Sequence, residues 1–334
     1  MDDSRRPRCS DAARLRADPL LATAPTAARL LLIEVPGPWG RAGLTAARLD
    51  PQVAAAVSAA AEAAGVRVQL IRRPGRHPAP RPDSSEPRTG AGPFAWAIAD
   101  PSAKVVRWGS WQHERELLGV DPAQPLDPGA DAGTGPQRLA LVCTHSRHDL
   151  CCAVLGRPVA AAVAAGTDRQ TWETSHLGGD RFAANLLLLP EGEVFGRLDG
   201  VTAVAAARAL DGGRLELPHY RGRVGRAPIE QAGVHLAAQA LDDSRLGAVR
   251  VLAATRREAA PPEATAPGVD RWQLRIGHGA RLYRGVIAAW WSGPELLSCS
   301  ALAPKPARRF ALESLQALQP IDDGKEAEEC PITR

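Results

Sequence analysis

The stretch Val142-Cys-Thr-His-Ser-Arg-His-Asp-Leu-Cys-Cys-Ala153 decides how this chain is read. The apolar run over 138–143 predicts a buried strand, and a helix is expected from about residue 150 to 165. Between them stand three thiols (Cys143, Cys151 and Cys152) and two imidazoles (His145 and His148). A helix N-terminus presents unpaired N–H groups and the positive end of the dipole, which favours thiolate over thiol. A thiolate so placed can ligate iron or zinc, or attack a disulfide. Neighbours on a helix point about 100° apart, so Cys151 and Cys152 are expected to face different surroundings, one of them the core.

A second constellation follows at Thr174-Ser-His-Leu-Gly-Gly-Asp-Arg-Phe-Ala-Ala-Asn185. Gly178 and Gly179 allow a tight turn or the close approach of a bulky group. By itself this is a Gly-Gly turn capped by Asp180. Beside the cysteine segment it is a cofactor clamp, with His176 and Asp180 set opposite Cys143 and Cys152.

Working outward, strands are expected at 29–35, 66–71, 94–99 and 104–108, with helices at 51–64 and 112–118. The order then recurs: strands at 138–143, 170–174, 182–189 and 193–197, with helices at 150–165 and 201–209. Both halves read strand, helix, strand, strand, strand, helix, an internal duplication on a thioredoxin-like plan. The Pro36–Gly40 turn of the first half takes the place of the cysteine loop, without ligands. The α/β fold is therefore expected to comprise an irregular N-terminus (1–25), a degenerate thioredoxin-like unit (26–120), a linker (121–136) and a thioredoxin-like unit with the site (137–212). A C-terminal α+β extension (213–320) carries a helix at 228–241 and strands at 249–255, 271–276 and 282–291, before a frayed tail (321–334). The Pro- and Arg-rich stretch 73–93 reads as a loop, and Tyr220-Arg-Gly-Arg223 as a solvated basic loop or an anion receptor.

Composition narrows the function. The net charge is +4 with 38 arginines against 3 lysines, and arginine is scattered, so nucleic-acid binding is not expected. No apolar run is long enough for a transmembrane helix. The charged N-terminal segment MDDSRRPRCSDAARLR lacks the apolar core of a secretory signal, which predicts a cytoplasmic protein. Cysteines in such a compartment are metal-binding, redox-active or buried more often than disulfide-bonded. Cys9, Cys299 and Cys330 lie far from the motif in sequence, and serine at any of them is expected to leave the site's spectrum unchanged.

The runs LVCTHSRHDLCCAVLGRPVAAAVA (141–164) and TWETSHLGGDRFAANLLLLPEGEVFGRLD (171–199) closely resemble the sucrase/ferredoxin-like family. Flanking matches are IEVPGPWG at 33–40, YRGRVG at 220–225 and the helix bearing Gln231. The resemblance implies a thioredoxin-like ferredoxin fold and a [2Fe–2S] cluster held by two cysteines, matching Cys143 and Cys152, and by histidines of an HxGGH motif. His176 matches the first histidine, but Asp180 occupies the second position. Carboxylate is a harder donor than imidazole, which leaves the fourth ligand open among Asp180, Cys151 and His145. The expected function is one-electron transfer to a redox partner protein. Two alternatives use the same residues: a thiol–disulfide oxidoreductase with Cys152 as nucleophile and Cys143 or Cys151 resolving, and a zinc-binding structural module. Sucrose hydrolysis is not expected, because no pair of carboxylates stands out for it.

Overall fold

The computed structural model describes residues 7–75, 93–131, 133–257 and 268–318. Most of the loop expected at 73–93, the tail expected at 321–334 and Cys330 lie outside the described residues. The chain opens with α1 (Cys9–Leu15), β1 (Arg29–Glu34), α2 (Pro51–Ala63), β2 (Val66–Arg72), β3 (Phe94–Asp100), β4 (Val105–Trp111) and a short α3 (Pro128–Asp131). It continues through β5 (Leu139–Cys143), α4 (Leu150–Gly166), β6 (Gln170–Thr174), β7 (Leu186–Leu189), β8 (Glu193–Phe195), α5 (Gly200–Asp211), β9 (Tyr220–Arg223) and α6 (Pro228–Ala240). Four longer strands close it: β10 (Val249–Arg256), β11 (Asp270–His278), β12 (Arg281–Trp291) and β13 (Arg308–Ala317).

The protein is a mixed α/β fold with two sheets. The larger has the order β4-β3-β1-β2-β6-β5-β7-β8-β9, and the smaller is antiparallel in the order β10-β11-β12-β13. In the first half of the large sheet β1 is parallel to β2 and antiparallel to β3, which pairs antiparallel with β4. In the second half β5 is parallel to β6 and antiparallel to β7, which pairs antiparallel with β8. The halves thus repeat one strand order and one set of senses. They join through β2 and β6, the equivalent strands, which meet antiparallel at Ile71–Thr174 and Arg72–Glu173. Such a contact between like edges is what a two-fold axis through the sheet produces.

Alternation along the strands sets where each side chain goes. In β1, Leu31 and Ile33 face the α2 cluster while Leu30 and Leu32 face a central cluster shared by both halves. In β5, Ala140 and Val142 pack under α4 and α5, and Leu139, Leu141 and Cys143 enter the central cluster. All five residues of β5 are buried. Helix starts follow their capping residues: Asp50 caps α2 ahead of Pro51, Asp149 caps α4 and Asp199 caps α5.

Three expectations need correction. The N-terminal 25 residues are not wholly irregular, because α1 buries Cys9, Ser10 and Ala13 along one face and packs on the Asp180–Phe182 turn. Its short, charged sequence carries little periodic signal, so the helix is fixed by tertiary packing. The basic segment after Gly212 is not a loop, because β9 pairs with β8 at the sheet edge. The C-terminal sheet has a fourth strand, β13, whose half-buried, arginine-led sequence hides the alternation. Among the described residues, no helix is long and apolar enough to cross a membrane.

Two predictions follow from packing. Alanine normally outperforms glycine inside a helix by roughly 0.5–1 kcal/mol. At Gly156 of α4 a Cβ would meet the Cys143 carbonyl oxygen at 2.1 Å. Gly156→Ala is therefore expected to reverse that sign and cost about 1–3 kcal/mol, read as a lower thermal midpoint. On α6, burial lowers the His235 pKa to about 4, whereas an unfolded histidine titrates near about 6.5. Between these values the unfolded chain binds a proton that the folded chain refuses. Stability should fall as pH drops through that window, by about 3 kcal/mol from this residue, and His235→Phe should flatten the difference in a pH series of denaturant melts.

Candidate metal centre

Because β5 and β6 are parallel, their C-terminal ends lie side by side and deliver two loops to one end of the sheet. One loop runs from Cys143 to the start of α4, the other from Thr174 through His176 to Asp180. Cys143 and Cys152 are each 1% exposed. The interaction with Cys152 draws the Cys143 thiol below its ordinary range, while Cys143 and burial push Cys152 up. Cys152 Sγ lies 3.3 Å from Asp180 Oδ1, and His176 Nδ1 lies 2.8 Å from the same oxygen.

His148 completes the group from the cysteine loop. Its Nε2 is 3.5 Å from Asp180 Oδ2, and its ring stacks on His176 with centroids 3.8 Å apart. Burial alone would raise the Asp180 pKa, but His176 at 2.8 Å, and after it His148, outweigh it and hold the carboxyl below its usual range. Burial, and then His176, lower the His148 pKa. Both imidazoles keep a partly exposed edge, 26% for His148 and 28% for His176, whereas Asp180 and the thiols are buried.

The second loop is anchored from both sides. Its His176 carbonyl accepts from Gln69 Nε2 at 3.2 Å and Arg67 at 2.6 Å, both from β2 of the other half. On the far side stands Arg221 of β9, fully buried, so the reading of a solvated basic loop does not hold. It donates to the Gly178 carbonyl at 3.0 Å, to Asn185 Oδ1 at 2.8 Å and to Thr23 Oγ1 at 3.0 Å. Asn185 in turn donates to the Gly179 carbonyl at 3.0 Å. Burial lowers the Arg221 pKa to about 9. Gly178 and Gly179 have φ of +86° and +71°, and a Cβ on Gly179 would come within 2.4 Å of the Arg221 guanidinium. The sequence places glycine here for conformation and for clearance alike.

Two residues offered as a fourth ligand lie elsewhere. His145 is 2% exposed, bonds the Gly40 carbonyl through Nε2 at 2.9 Å and meets Trp39 edge-on. It ties the cysteine loop to the turn of the first half. Cys151 points away from Cys152, with its sulfur 3.7 Å from Cys9 Sγ and 3.3 Å from Cys299 Sγ. Cys9 and Cys299, remote in sequence, therefore converge on the cysteine segment. The hydrogen bond from Cys9 lowers the Cys151 pKa to about 6. Among the described residues two groups lie close enough to hold a metal ion: His148, His176 and Asp180, and separately Cys9, Asp149, Cys151 and Cys299.

Sequence reasoning named His148 among the imidazoles of the quoted segment but not among the candidates for the fourth ligand, where it chose His145. It read Arg221 as part of a solvated basic loop or an anion receptor, because nothing in a string of arginines and glycines announces its burial. Fold and site together define a mixed α/β protein with a buried thiol, imidazole and carboxylate centre. The profile of the family described as sucrase/ferredoxin-like matches residues 20–222, which cover the whole large sheet but its last residue, and the chain belongs to that family. Comparison with curated proteins finds no match, and comparison with solved structures finds none either.

Gly179→Ala tests the clamp. Strain at positive φ together with displacement of Arg221 should cost about 1–3 kcal/mol in thermal or denaturant melts. Arg221→Lys, which keeps the charge but loses the fork, should destabilise in the same direction by stranding buried acceptors.

Proposed function

We propose that this chain is an electron carrier whose [2Fe–2S] cluster is held by Cys143, Cys152 and His176. The fourth position falls to Asp180 or His148, which lie beside one another at the same mouth. One observation carries the reading: two buried thiols, a carboxylate and two partly exposed imidazoles converge where two parallel strands end. That donor set suits the group, since thiolates hold iron–sulfur clusters and imidazoles can replace them on one iron. Bound there, the cluster supplies reversible one-electron chemistry. The chain's own residues keep water from the thiols, fix His176 through its carbonyl and leave the imidazole edges facing outward. A redox partner protein docking over those edges would exchange the electron, in a cytoplasmic setting.

The fold reading belongs to the same proposal: two tandem thioredoxin-like units, one with ligands and one without, followed by a C-terminal extension. The repeated strand order and the antiparallel join of β2 to β6 support it. So does the Pro36–Gly40 turn, which follows β1 as the cysteine loop follows β5 and touches it through His145.

Iron per chain and visible absorption test the assignment. Cys143→Ser, Cys152→Ser and His176→Ala are each expected to lose most of the iron and the colour. Full iron in Cys152→Ser would sink the reading, and a colourless wild-type protein with zinc in place of iron would favour the zinc module at these residues. Asp180→His should keep the cluster and raise its reduction potential in potentiometric titration, because a neutral donor replaces an anionic one. Asp180→Ala retaining full iron, with iron lost in His148→Ala, would assign the fourth position to His148.

A further inference from the structure

Three of the five described cysteines take no part in that centre. Cys9 comes from α1, Cys151 from the first turn of α4 and Cys299 from the connection between β12 and β13. Their sulfurs form a triangle with sides of 3.7, 3.3 and 3.5 Å. A disulfide needs about 2.05 Å, so all three are free thiols. A tetrahedral zinc with Zn–S bonds of about 2.3 Å spaces its sulfurs about 3.8 Å apart. The triangle is within about half an ångström of that spacing on every side.

A carboxylate closes the figure. Asp149 is 2% exposed and its Oδ2 lies 3.5 Å from Cys9 Sγ. The same oxygen accepts the Cys299 N–H at 2.7 Å, and Oδ1 accepts the Cys151 N–H at 2.8 Å. Those bonds orient the carboxylate and leave lone pairs for a cation. No lysine or arginine among the described residues forms an ion pair with Asp149. The sulfurs have donors of their own: Ser10 Oγ to Cys151 Sγ at 3.3 Å and the Cys9 N–H to Cys299 Sγ at 3.4 Å. Hydrogen bonds to ligand atoms of this kind support metal thiolates. A cluster of small buried apolar residues would need neither these donors nor a buried carboxylate.

We infer that Cys9, Cys151, Cys299 and Asp149 form a mononuclear zinc site, separate from the proposed iron–sulfur centre. It clamps α1 and the β12–β13 connection onto the start of α4, one residue from Cys152. The inference does not rest on the electron-carrier reading.

The test uses the full chain, with zinc and iron measured by mass spectrometry and the zinc environment by X-ray absorption. About one zinc per chain is expected, with a scattering shell of three sulfurs at about 2.3 Å. Cys299→Ser and Cys9→Ser should each lose most of the zinc while keeping the wild-type iron content and visible spectrum. The inference is overturned if zinc-replete wild-type protein binds no zinc, if the zinc shell lacks sulfur, if both variants keep their zinc, or if iron leaves together with zinc in both. Should α1 fail to dock in Cys9→Ser, the wild-type scattering shell and Cys299→Ser still decide. Absence of iron from the wild type would count against the electron carrier alone.

Discussion

β2 and β6 meet over two residue pairs only, and that short seam governs everything near the centre. At its end Arg72 and Glu173 form an ion pair at 2.6 Å, and Thr144 of the cysteine loop donates to the same carboxylate at 2.9 Å. One step further, the Ser175 N–H donates to the Leu70 carbonyl at 2.9 Å while the Leu70 N–H donates to Ser175 Oγ at 3.0 Å. Gln69 then accepts from Ser175 and donates to the His176 carbonyl. The loop bearing His176 is thus laid down along the other half of the sheet. Separating the halves would strand buried polar groups at each of these steps, which makes the seam costly to open.

Arg221 performs the complementary task from β9. A guanidinium taken wholly out of water is expensive unless its donors are satisfied. Here Thr23, Asn185 and the Gly178 carbonyl satisfy them, so the residue braces the Gly178–Gly179 turn from below as β2 holds its rim. The cation also sits near the thiols and Asp180, where it offsets negative charge in an apolar setting. Three stretches far apart in sequence (residue 23, the turn, and β9) are locked by one side chain.

The sequence made some of this legible and concealed the rest for identifiable reasons. The unbroken apolar run of β5 and the glycine pair after His176 announce themselves, because strand burial and backbone conformation are local properties. The repeat of strand and helix is legible for the same reason, and the observed pairings of the large sheet follow it. Arg221 is hidden because a buried arginine and a solvated one are spelled alike. Cys9 and Cys299 look peripheral because convergence in space leaves no period in the chain. His145 and His148 show the limit most plainly: two identical side chains three residues apart, one spent on packing against Trp39 and Gly40, the other turned to Asp180. Only the fold distinguishes them.

The contact between Cys9 and Cys299 spans 290 residues. Cys9 meets Asp149 and Cys151 once α4 is in place, but the third thiol, Cys299, lies another 148 residues along the chain. Closing so long a loop is slow, because its entropy is lost before any contact forms. The thiol triangle is therefore closed last: a chain stopped short of Cys299 can build the large sheet, both loops of the centre and the contacts of α1 with α4, yet leaves Cys9 and Cys151 without their third sulfur.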